Sequence, residues 1–163
     1  MANHGWVDTV REMTPAGLME IFNELNQRLF KGNLTIEYTE KEDDAWGDHV
    51  WLLKYHSGGT LWATRVCWLD ENTPKHFEMV HSGGSQFAFW LDAAILNEVA
   101  VKFGGLIGDD GGEENWEGVP GKYDDYPAYL RRCWGHNQHV EALVANELFF
   151  GPPEFKPEEV QNE

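Results

Sequence analysis

Serine is nearly missing from this chain of 163 residues: there are three, Ser57, Ser82 and Ser85, and none stands in the Gly-x-Ser-x-Gly elbow of a serine nucleophile. Cysteine is as scarce. Cys67 and Cys133 could form one pair at most, and Cys67 lies in an apolar strand-like pattern, so buried free thiols are expected rather than a disulfide framework. Basic residues number 12 against 28 acidic ones, a net charge of −16, which repels phosphate backbones and anionic membranes. Direct binding of nucleic acid or membrane is therefore not expected. No apolar run approaches the roughly 20 residues that span a bilayer. The start Met-Ala-Asn-His-Gly-Trp has neither the basic nor the apolar region of a secretion signal, so a cytoplasmic location is expected.

What is present is a core-forming composition, 42% hydrophobic with eight Trp, nine Phe and five Tyr, which fits a single packed domain. The charge is concentrated. Residues 40–48 hold five acids and one base, 109–126 seven and one, and 151–163 four and one. The expected organisation is one domain over 1–153 and a disordered acidic tail over 154–163, beginning after the helix stop Gly151-Pro152-Pro153.

His-Ser-Gly-Gly occurs twice, at 56–59 and 81–84, and each copy runs on to Trp-Leu-Asp. Gly-Gly between runs of β-formers reads as a tight turn, so two related hairpins are expected. Thr14-Pro15 starts a helix, and Leu18, Ile21, Phe22, Leu25 and Leu29 keep its apolar spacing to residue 31, before Gly32. Strands are expected at 34–39, 49–55, 60–68, 75–80 and 86–90, with Asp92 capping a second helix. Leu106-Ile107-Gly108 is a short strand, and 123–134 and 138–150 are helices broken near Gly135. The fold class is α+β, an antiparallel meander of four to six strands packed against helices.

No motif assembles a catalytic centre. Cys133, His136 and His139 are zinc-competent ligands within seven residues, but Gly135 interrupts their helix and no second ligand pair accompanies them. Asp109-Asp110-Gly111-Gly112-Glu113-Glu114 lacks the alternating spacing of a calcium loop. Ser57 and Ser82 adjoin His56 and His81, but neighbours on a strand face opposite ways. The motif also departs from that of two-histidine phosphoesterases, with Gly58 and Gly83 where those enzymes carry Ser or Thr. No catalytic residue, metal or cofactor is expected.

Three marks carry a resemblance: Phe89-Trp90-Leu91 entering a helix, Gly104-Gly105-Leu106-Ile107 after it, and Asp109-Asp110-Gly111 opening an acidic loop. In these, over about a fifth of the chain, it resembles the small acidic immunity proteins of bacterial toxin systems. The resemblance implies a cytoplasmic protein that blocks a basic effector. Localised acid and aromatic anchors point the same way, towards a basic protein partner, either a toxin or a nucleic-acid-binding complex. The expected binding residues are Asp109, Asp110, Glu113, Glu114, Trp116 and Glu117, with Asp43, Asp44 and Trp46. Two alternatives stay open: a phage-encoded acidic inhibitor that mimics nucleic acid against a host defence complex such as CRISPR or restriction, and a small metal-dependent hydrolase.

Overall fold

The first helix, α1 (Pro15–Arg28), forms where the Thr14-Pro15 signal places it: the Thr14 hydroxyl accepts from the Gly17 amide at 3.0 Å and the ring occupies the first helical position. Its stripe of Leu18, Ile21, Phe22 and Leu25 is buried. The computed structural model describes residues 2–40, 47–57, 59–82, 86–109 and 116–150. The expected acidic tail lies outside these residues.

The sheet is fully antiparallel. Its strands are β1 (Ala2–Thr9), β2 (Leu34–Glu40), β3 (His49–Ser57), β4 (Thr60–Leu69), β5 (His76–Ser82), β6 (Gly105–Asp109) and β7 (Trp116–Glu117), in spatial order β2-β3-β4-β5-β1-β6-β7. Among the described residues three helices follow α1: α2 (Gln86–Phe103), α3 (Tyr126–Trp134) and α4 (Gln138–Phe150). The α+β class holds, with seven strands among the described residues rather than four to six. The addition is chiefly β1, whose Ala-Asn-His-Gly-Trp-Val-Asp-Thr is poor in β-formers and is held extended between β5 and β6.

Residues 86–90 are the first turns of α2 rather than a strand, a short apolar run that periodicity leaves ambiguous. Asp92 accordingly lies inside α2 and does not cap it. The second His-Ser-Gly-Gly leads from β5 into α2, so only the first copy joins two strands, with Gly59 at φ +79°. His56 and His81, read as turn residues, lie in β3 and β5.

The helices cover one face of the sheet. Phe22 of α1 meets Trp51 and Phe77, Phe87 of α2 meets Tyr55, and Gly5 lacks the Cβ that would lie 2.8 Å from Leu96. α2 is buried almost all round because α1, the sheet and the segment after β7 enclose it. Asn97 fixes that segment by donating to the Val119 carbonyl and accepting from its amide, both at 2.9 Å. The Trp90 indole donates to the Tyr123 carbonyl at 2.7 Å.

Candidate functional site

The other face of the sheet has no helix on it among the described residues. Strand register lines up its side chains in rows: Leu52, Val66, Val80 and His4, then Val50, Trp68, Glu78 and Trp6, then His76, Asp8, Leu106 and Glu117. Sheets with one wet face normally alternate apolar and polar residues. Here much of the wet face is apolar: Val50, Leu52, Val66, Val80 and Trp6 are half-buried, and Leu106 is 43% exposed. Trp68 is 8% exposed because the backbone at Gly47 lies against it, where a Cβ would be 3.0 Å from its ring.

A chain of acids and histidines runs into this patch, with Glu78 between Trp68 and Trp6. His76 Nδ1 is 2.7 Å from Asp8 and its Nε2 is 3.2 Å from Glu78, while His4 Nδ1 is 3.7 Å from the other Glu78 oxygen. Burial works against the charged His76 imidazole, but the bonds to Asp8 and Glu78 outweigh it, and its pKa is raised. Glu37 and Lys54 form a cross-strand pair at 3.7 Å on the same face.

Of the expected binding residues, Asp109, Trp116 and Glu117 are described, whereas Asp43, Asp44, Trp46, Asp110, Glu113 and Glu114 lie outside the described residues. Asp109 ends β6 opposite Gly5. Trp116 pairs with Ile107 and packs against the core, and Glu117 is exposed. Glu40 and Asp109, from which the two acidic segments leave the sheet, are at opposite strand ends, and their strands are about 24 Å apart by strand spacing.

Two polar clusters on the helix side escaped sequence reasoning. Arg65, 3% exposed, donates from Nε to Asp92 and from Nη1 to the Thr64 carbonyl at 2.9 Å, and its Nη2 is buried without a partner among the described residues. Burial raises the Asp92 carboxyl to about 7 against the pull of Arg65. Burial likewise pushes the Cys67 thiol far above its ordinary value, so Cys67 is a packing residue rather than a nucleophile. At the β2–β3 end the Tyr38 hydroxyl lies 2.6 Å from His49 Nδ1, and His49 Nε2 lies 3.3 Å from Glu71. With the Nε2 proton directed at Glu71, Nδ1 accepts from the tyrosine.

Cys133, His136 and His139 are all exposed around the Gly135 break, and among the described residues no group of three His, Cys, Asp or Glu is arranged to hold a metal. No described helix is long and apolar enough to cross a membrane. No family model, curated protein or solved structure matches this chain. The one signal that could have found the outer patch is alternation. In 49–55 and 63–69 both faces of the strand carry apolar residues, which asks for cover on both sides.

Proposed function

We propose that this chain is an acidic protein-binding inhibitor that neutralises a basic effector, in the manner of an immunity protein of a bacterial toxin system. The observation that carries this reading is the sheet face that no described helix covers, whose apolar residues stand among the acids Asp8, Glu78, Glu37 and Glu117. Strands about 20 Å long at spacings of about 4.8 Å give a face on the order of 600 Å², close to the roughly 800 Å² each partner contributes to a specific complex. A net charge of −16 speeds encounter with a cationic surface, and the half-buried Trp6 and Leu52 then supply the desolvated contact.

The test is to capture the partner from the native host, identify it, and measure association with purified proteins at low and at physiological salt. A basic partner whose association slows about tenfold over that range is expected. Replacing Asp109, Asp110, Glu113 and Glu114 by Asn or Gln should slow association further, and Leu52→Lys should raise the dissociation rate. An acidic partner, or salt-independent association with Leu52→Lys unaffected, overturns the reading. A toxin as partner supports the immunity role; a host defence complex supports the phage-encoded inhibitor with the same surface chemistry.

A further inference from the structure

We propose that the open edge of β2 takes an extended basic segment of a partner protein as an eighth strand. This rests on the reading of the chain as a binder of a basic effector, and it places part of that contact on main-chain hydrogen bonds.

The geometry follows from one side chain. Asn26 of α1 accepts from the Leu34 amide and donates to the Leu34 carbonyl, both at 2.9 Å, so both backbone groups of Leu34 point away from β3. The His56 amide donates to the Asn33 carbonyl at 3.0 Å, which puts residue 33 on the side bonded to β3. Antiparallel ladders alternate. Thr35, Glu37 and Thr39 therefore bond to β3, and Ile36, Tyr38 and Glu40 turn their N–H and C=O groups to the free edge. Among the described residues none of those groups has a backbone partner. Asn26 thus occupies the first position that a neighbouring strand would fill and leaves the next ones open.

Native edge strands usually carry a proline, a bulge or an inward charge that discourages pairing. β2 has neither proline nor bulge, being in register with β3 over all seven residues of Leu-Thr-Ile-Glu-Tyr-Thr-Glu, and its one charge on the covered face, Glu40, stands at the strand's last position. The opposite edge is handled differently. β7 covers only Leu106 and Ile107, and the chain beyond it is tied to α2 through Asn97.

Charge selects the occupant. Glu37 and Glu40 lie on the strand, and residues 40–48 that follow hold five acids and one base. A second copy is a poor fit. Two-fold pairing centred on residue 37 sets Glu37 against its own copy, and pairing centred on residue 38 sets Ile36 against Glu40, with a charge of −16 on each molecule. A strand alternating apolar and basic residues fits both faces, its apolar side chains beside Ile36 and Tyr38 and its cations beside Glu37.

The experiment uses the full chain and a synthetic peptide of alternating Val and Lys, with an alternating Val and Glu peptide as control, read by amide hydrogen exchange. The Lys peptide is expected to slow exchange at Ile36 and Tyr38 by about tenfold or more, and the Glu peptide is not. Tyr38→Pro removes an N–H that β3 does not use, so it should fold and lose the effect. Should it fail to fold, Glu37→Lys with Glu40→Lys leaves the backbone intact and should reduce the protection. Unchanged exchange at Ile36 and Tyr38, equal protection by the Glu peptide, or protection without peptide in a dimer would each overturn the proposal. If a captured basic partner binds Tyr38→Pro as tightly as the parent chain, the edge assignment fails while the inhibitor reading stands. If the Lys peptide protects the edge but no basic partner competes with it, the inhibitor reading fails and the edge site remains.

Discussion

The two faces of this sheet are built from the same strands, yet they do different work. On the covered face Trp51, Leu53, Cys67, Phe77, Met79 and Val7 are sealed under α1 and α2, and an Arg65–Asp92 pair is sealed with them. On the open face Leu52, Val66, Val80 and Trp6 are apolar too, but only their neighbours on the sheet cover them. The difference shows that burial here is set by where the helices lie and not by which residues are apolar. Leu52 and Leu53 are sequence neighbours with opposite fates. The covered face supplies stability, and the open face leaves apolar area partly exposed.

The sharpest way to break the covered face is through its ion pair. Above about pH 7, where Asp92 is ionised, Asp92→Leu leaves the Arg65 guanidinium buried without a counter-charge and should cost about 3–5 kcal/mol, read as a fall in the urea midpoint at unchanged slope. Adding Arg65→Met should recover most of that loss, because a buried pair replaced by apolar groups is often neutral. Double-variant stability no better than that of Asp92→Leu would mean the pair holds the helix in a way charge balance does not describe.

Leu53→Ala and Leu52→Ala test the comparison directly. The first opens a cavity under α1 and α2 and should cost about 2–5 kcal/mol, whereas the second trims a partly wet surface and should cost under about 1 kcal/mol. Similar losses would mean the outer face is covered in solution. With the partner bound, protection against unfolding should shrink for Leu52→Ala and not for Leu53→Ala.

A smaller effect separates the faces by pH. Folded Asp92 holds its proton to about 7, above the ordinary value of 3.8, so the folded state binds more protons than the unfolded one between those values. Stability therefore falls as pH rises from about 4 to about 7, and Asp92→Asn should flatten that slope. A slope in Asp92→Asn equal to the parent's would place the titrating group elsewhere.

The smallest effect belongs to the outer histidine. The raised pKa of His76 adds stability that is full below its ordinary value of 6.5 and is lost as pH rises through the folded value. Because the group is partly solvated, His76→Gln should cost no more than about 0.5 kcal/mol at low pH and nothing at high pH. A larger loss would mean the Asp8–His76–Glu78 chain organises the face.

Sequence alone was enough where a local signal acts by itself. Thr14-Pro15 starts α1 because a hydroxyl acceptor and a fixed φ act within one turn, whereas the helix expected from 123 begins at Tyr126, after the Asp125 cap. Apolar spacing marked β3, β4 and β6, and the α+β class followed. The acidic stretches at 40–48 and 109–126 were equally plain, since net charge needs no fold to be counted. Tertiary structure decided the rest, for reasons of distance along the chain. β1 is a strand only because β5 and β6 flank it, 68 residues and more away for pairs such as Asp8 with His76. Residues 86–90 are helical because Phe87 and Trp90, three apart on one helix face, pack together against Tyr126 of α3 and Phe87 also against Tyr55 of the sheet, while Phe89 stays exposed. Arg65 met Asp92, Asn97 met Val119, and Asn26 left part of the β2 edge open, because packing brought together groups whose types are common and whose spacing in sequence carries no signal.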